Sequence, residues 1–355
     1  MFRSALTAVV VLLAIVAATG HAASSAVSPC TAVRMAVWSP DGQQIAFSAT
    51  RWPPPAAKHR NPNDILQALC TASADGTNAR PLRFTACDSK CPDPPGRLVW
   101  LRPDALLVLR DGDILRIAPG SKPKKIARIS DFSFVTDAAG TRIAAGAGDP
   151  SCLSCSGAVT VLDAQSGARV GTVGGKKLDN VSPSLSPDGT RVVFQRDASD
   201  DSGKTFGIWT AKTDRSGLRQ LASVGRQPLW SPSGGKIAYL VSAGKSVALR
   251  LIPAGGGRSR VLVPRGIENV FGWSPDGRSI AFETGSGTFG RLAVVDVTTG
   301  KVRMLIGLRY SPAAVWKPDS SELLATSMAA PKTCPSLSRV PVDGSAPTLI
   351  SSCPG

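Results

Sequence analysis

The chain has 355 residues, and its 41 lysines and arginines against 25 aspartates and glutamates give a formal net charge of +16. An apolar content of 43% can build a core, but 35 glycines and 28 prolines argue against a mostly helical fold, since each interior proline costs a helix about 3 kcal/mol. Two histidines in the whole chain leave little room for histidine-based catalysis or a multi-histidine metal site, and short strands joined by turns are the expected architecture.

In chain order, Arg3 precedes an apolar run over 5–18, followed by Gly20, His21 and Ala22. This pattern reads as a secretory signal peptide over 1–22, leaving 23–355 as one domain in the periplasm or outside the cell. The run falls short of the roughly 20 residues that span hydrocarbon, so a membrane anchor is not expected. A lipidated Cys30 is not expected either, because Ser28 and Pro29 precede it instead of a lipobox.

All eight cysteines, at 30, 70, 87, 91, 152, 155, 334 and 353, follow that segment, and an even number in an exported chain implies disulfides. The close pairs Cys87/Cys91 and Cys152/Cys155 have zinc-like spacing, but an oxidising compartment and the lack of matching histidines favour bridges. Cys334 and Cys353 flank a hairpin turning at Asp343-Gly344, whose antiparallel register brings them within bridging reach. A Cys334–Cys353 bridge and a local Cys152–Cys155 bridge are predicted. Cys30, Cys70, Cys87 and Cys91 are expected to pair among themselves, in an order left open.

A phrase recurs along the chain: Trp38-Ser39-Pro40-Asp41-Gly42, Leu185-Ser186-Pro187-Asp188-Gly189, Trp230-Ser231-Pro232-Ser233-Gly234, Trp273-Ser274-Pro275-Asp276-Gly277 and Trp316-Lys317-Pro318-Asp319-Ser320. A weaker copy starts at Trp100, and a degraded one runs from Thr136 through Gly140 into Ile143-Ala144. Trp38 and Trp316 bracket six intervals of about 46 residues. Serine, proline, aspartate and glycine in that order specify a tight turn after a strand. A second hairpin signal follows in each unit, as at Asp75-Gly76, Gly255-Gly256 and Asp343-Gly344. Each unit is therefore a four-stranded antiparallel meander, and its radial repetition predicts an all-β chain folded as a β-propeller of seven blades, or six if the degraded copy lies outside the ring. Tryptophan at the end of each inner strand would wedge between neighbouring blades.

The phrase resembles the WD-repeat-like propeller repeat of TolB, the periplasmic component of the Tol-Pal envelope system, and of propellers attached to oligopeptidases. The resemblance covers about residues 31–350 and implies a propeller that binds protein partners. An oligopeptidase would need a G-x-S-x-G nucleophile turn, and the chain has none. The sialidase Asp-box is a near miss, with one residue fewer between aspartate and glycine, so the repeat aspartates are assigned to turns.

Three site readings remain. Asp197, Asp200 and Asp201 form an acidic stretch that could offer Ca²⁺ hard oxygens, although its spacing matches no EF-hand and a solvated loop explains it. The longest connections, over 51–64, 86–96, 146–157, 196–204 and 327–335, all join second to third strands or one blade to the next, which puts them on one rim, where loop-borne function concentrates. Within them Arg51, Trp52, Lys58, His59 and Arg60 are the predicted partner-binding set, with Trp52 as anchor. The inner-strand segments over 32–36, 97–99 and 313–315 hold few carboxylates or histidines, which favours binding over catalysis. The expectation is an exported, monomeric, non-enzymatic scaffold without cofactors, binding a protein or an anionic envelope component and not nucleic acid; the alternative is a hydrolase or lyase with a site in the channel.

Overall fold

The computed structural model describes residues 30, 32–51, 66–85, 97–101, 105–110, 112–118, 121–129, 134–146, 157–175, 179–197, 206–286, 289–309, 313–328 and 335–351. They form 28 strands in seven antiparallel sheets of four. Every sheet takes its strands in sequence order, so each blade is one continuous piece of chain and the fold is a seven-bladed propeller. The inner strands are Ala32–Trp38, Arg97–Leu101, Phe134–Thr136, Asp179–Leu185, Arg226–Trp230, Ile267–Trp273 and Ala313–Trp316. No helix among the described residues is long and apolar enough to cross a membrane.

The repeated phrase does what its chemistry dictates. In blade 1 the Gly42 N–H closes the turn on the Ser39 carbonyl at 2.9 Å, and Gly42 takes φ 70°, which glycine adopts without a Cβ penalty. The Ser39 hydroxyl donates to Asp41 Oδ1 at 2.5 Å and accepts the Gln44 N–H at 2.9 Å, tying the turn to the next strand. The degraded copy forms blade 3 by other means. Asp137 stands where the other turns have serine, and its Oδ1 accepts the N–H groups of Thr141 at 2.6 Å and Arg142 at 2.9 Å. Blade 7 has Ser320 at the glycine position, held at φ 64°, and its hydroxyl accepts the Asp276 N–H of blade 6.

Seven apolar clusters fill the seven junctions between blades. The second strands carry the pattern, as in Ile280-Ala281-Phe282. Ile280 and Phe282 pack toward blade 5, while the small Ala281 faces blade 7 and leaves room for Trp316. Each repeat tryptophan thus lies against the preceding blade. The indole N–H of Trp273 donates to the Leu229 carbonyl and that of Trp316 to the Gly272 carbonyl, each across a junction.

A second repeat lies in the outer strands, each of which carries a β-bulge at the same place. The extra residues are Leu82, Ile126, Val170, Leu221, Leu262, Leu305 and Ile350, all aliphatic. The bulge twists the edge strand and re-aims its side chains. Nearby arginines then clamp the next blade: Arg219 donates to the carbonyls of Gly255 and Ala254, Arg260 to that of Val297 and Arg303 to that of Val342. Part of the basic excess is therefore spent within the ring.

The junction between blades 7 and 1 closes the circle without an exchanged strand. Cys30, just before the inner strand of blade 1, is bonded to Cys70 in the third strand of the same blade, and both lie in the cluster shared with Leu324 and Leu337 of blade 7. Cys70 was one of the three partners left open to Cys30. Cys87, Cys91, Cys152, Cys155, Cys334 and Cys353 lie outside the described residues, as do residues 1–22. Lys317 reaches from blade 7 over the Trp38 ring at 5.6 Å and pairs with Glu322, which also takes a two-pronged bond from Arg339.

Candidate functional site

Because inner strands end in the short turns at their tryptophan ends, their opposite ends meet on the other face of the ring. That face also receives the ends of the second and fourth strands, from which the long connections depart. Four of these inner strands are irregular there, the first of them in blade 1 between Val33 and Met35. In blade 4 the pairing skips between Val181 and Ser184, and in blade 5 between Arg226 and Leu229. Each bulge holds a non-glycine residue at positive φ directly before a proline, Ser182 at 50° and Gln227 at 49°. In blade 6 the register shifts past Glu268 and again past Phe271. Such strained backbone costs about 1–3 kcal/mol per residue and concentrates where side chains must be aimed for a task.

The same strand ends hold polar atoms that nothing among the described residues satisfies. Arg97 Nε in blade 2, Asp179 Oδ1 in blade 4 and Gln227 Oε1 in blade 5 are all buried without a hydrogen-bond partner. An unpaired buried polar atom costs about 1–3 kcal/mol, and more when charged. Burial pulls the Arg97 pKa down. Glu283, within the second strand of blade 6, shifts upward, chiefly through burial and further through the charge of Glu268. Inner-strand ends on this face thus hold a guanidinium nitrogen and two oxygen acceptors with unused bonding capacity.

Around them the strands of blades 4 and 5 are tied together. The Gln227 N–H donates to Gln195 Oε1 at 3.2 Å and the Trp230 N–H to Ser184 Oγ at 2.9 Å. Arg196 and Asn180 join blade 4 to the segments arriving from blade 3. On the opposite face the aspartates serve the turns: hydrogen bonds first from Ser39 and Ser186, then from backbone N–H groups, hold Asp41 and Asp188 below the usual carboxylate range.

Arg51 ends the second strand of blade 1 on the long-connection face; its side chain and residues Trp52, Lys58, His59 and Arg60 lie outside the described residues. The same holds for Asp200, Asp201 and the side chain of Asp197. Sequence reasoning passed over Asp179, Glu268 and Gln227, which belong to inner strands in blades other than those inspected. The signal available was the X-Pro pairs Ser182-Pro183 and Gln227-Pro228 inside otherwise regular strands, since proline in a strand marks a bulge or an edge. Among the described residues no group of three or more His, Cys, Asp or Glu side chains gathers to hold a metal ion.

This geometry defines a seven-bladed propeller whose long connections all depart from one face. No family model and no curated protein matches the sequence. Solved structures do match the fold. An oligogalacturonate lyase in complex with manganese aligns with a TM-score of 0.63 at 13% identity, covering 88% of this chain and 89% of that one. An oligogalacturonate lyase from Vibrio parahaemolyticus aligns with 0.62 at 11% identity over 90% and 89% of the two chains. TolB from Acinetobacter baumannii aligns with 0.51 at 14% identity over 86% and 79%. The chain is thus a TolB-like propeller in fold, and at these identities the likeness concerns the fold alone.

Proposed function

We propose that the protein is an exported, non-enzymatic binding propeller that holds an extracytoplasmic protein or an anionic envelope component at the channel mouth and on the rim around it. The observation that carries this reading is the set of orphaned buried atoms, Arg97 Nε, Asp179 Oδ1 and Gln227 Oε1, at inner-strand ends on one face, with strained backbone beside those of blades 4 and 5. A ligand that satisfied them would recover their desolvation cost. The Cys30–Cys70 disulfide and the segment read as a signal peptide support an oxidising, extracytoplasmic compartment. Arg51, Trp52, Lys58, His59 and Arg60, on the connection that leaves blade 1 at this face, extend the surface. The ring is proposed to act as a monomer.

Alanine at Arg97, or at Trp52 and Arg60 together, should weaken capture of the envelope ligand by about tenfold or more, whereas Arg278→Ala on the turn face leaves it unchanged. Equal loss from both faces in titrations of the purified proteins would refute the assignment. A second reading, a channel lyase or hydrolase, draws on Glu283, whose raised pKa suits a general acid. It requires turnover of an acidic oligosaccharide by the wild type and its loss in Glu283→Gln.

A further inference from the structure

We propose that the junction of blades 3 and 4 carries a separate carboxylate-binding site, built on the free end of the Arg196 guanidinium. It adjoins the strand end that holds Asp179, because Arg196 pairs with Asn180 in the ladder, but it uses a different group from the proposed ligand site. Arg196 is the penultimate residue of the second strand of blade 4, Arg191–Asp197, and is only 4% exposed. Its Nε donates to Asn180 Oδ1 at 3.0 Å and its Nη2 to the Gly174 carbonyl at 2.7 Å, so one edge of the fork is used within the chain. Its plane lies over Trp209 at 4.1 Å and Phe194 at 5.7 Å. Position and orientation are thus fixed from the edge and from the face.

The partners are fixed in turn. Asn180 is fully buried, and its Nδ2 donates to the carbonyls of Gly157 at 2.7 Å and Gly175 at 3.1 Å, which forces its oxygen toward Arg196. Gly174 must be glycine for this approach, since a Cβ there would stand 2.5 Å from Asn180 Oδ1. The next residue, Gly175, is exposed, and a Cβ on it would meet nothing within 4 Å, so open space adjoins the cradle.

Among the described residues the cradle has no carboxylate. The same chain pairs Arg339 with Glu322 through two 2.8 Å bonds and Arg142 with Asp163 at 2.8 Å. Arg196 makes no ion pair among the described residues, and burial alone pulls its pKa down. A buried charge without a counterion is costly. The edge left over, Nη1 with the second Nη2 hydrogen, is the end-on fork that matches a planar carboxylate bidentately.

The test compares acetate, inorganic phosphate and chloride at matched ionic strength. Binding is read by thermal melting and by the arginine Nε–H resonances of the full chain. Acetate should raise the melting midpoint of the wild type and of Arg278→Ala and shift one Nε–H resonance. Arg196→Gln and Arg196→Lys should lose about tenfold or more in acetate affinity. Should Arg196→Gln fail to fold, Arg196→Lys decides, because it keeps charge and stem while losing the fork. An undiminished acetate response in the lysine variant, no acetate response in the wild type, or a phosphate response equal to that of acetate would overturn the proposal.

Discussion

Replacing both Cys30 and Cys70 by alanine should lower the stability of the propeller by about 4 kcal/mol, as the chain-entropy relation gives for a bridge spanning 40 residues. Alanine is the appropriate replacement, because Cys70 is fully buried and a serine hydroxyl there would add a desolvation cost of its own. The loss should also be local. Cys30 and Cys70 sit in the cluster that blade 1 shares with Leu324 and Leu337 of blade 7, the one junction that joins the two ends of the ring. At this junction the outer strand of blade 7 has Thr348 where blades 5 and 6 have arginines that clamp the next hairpin. The Trp38 indole N–H is buried without a partner there, whereas Trp273 and Trp316 bond the blade before them. The bridge compensates for a junction that is otherwise poorer than its neighbours. Hydrogen exchange should accelerate first in Ala32–Trp38 and Glu322–Met328 of the alanine variant, well before Arg226–Trp230. Unchanged denaturant midpoints, or exchange that rises evenly around the ring, would contradict this.

Glu322→Ala should cost about 3 kcal/mol, because it removes the two-pronged partner of Arg339 and leaves Lys317 with Asp319 alone. Glu322 is 5% exposed and binds Lys317 at 3.0 Å and Arg339 at 2.8 Å. Burial alone would raise its pKa, but the hydrogen bonds and charges of Arg339 and Lys317 outweigh that and leave it below the ordinary 4.5. A carboxyl with a depressed folded pKa contributes stability that is present above 4.5 and lost as the pH falls through the folded value. Wild-type stability should therefore decline below about pH 5 more steeply than that of Glu322→Gln, whose curve lacks this contribution. Parallel curves for the two proteins in urea titrations across that range would show that the triad is not coupled to folding.

The fold was legible because its punctuation is chemical. Serine, proline, aspartate and glycine specify a turn by φ and by hydrogen bonding, and tryptophan at the strand end specifies the wedge between blades. Blade 3 reads as degraded because Asp137 does the work of a serine, so pattern matching weakens where the physics persists. The outer-strand bulge was harder to see. Its aliphatic residues, Leu82 through Ile350, stand among other β-formers, and only the pairing register singles them out. The channel mouth was harder still. Arg97, Asp179 and Gln227 are far apart in sequence, and what marks them is that each buries an atom without a partner. Likewise Arg196 looks like any strand-end arginine until Asn180, Gly174 and Trp209 are seen around it.

The claim that the long-connection face holds the ligand is tested most directly by site-specific photo-cross-linking in the envelope. A photoreactive phenylalanine analogue placed at Gln227, at the channel mouth, is compared with one at Arg278, on the turn face. Cross-linked product from position 227, abolished by Arg97→Ala and missing from position 278, is the expected result; product from position 278 alone, or equally from both, would place the ligand elsewhere and contradict the account.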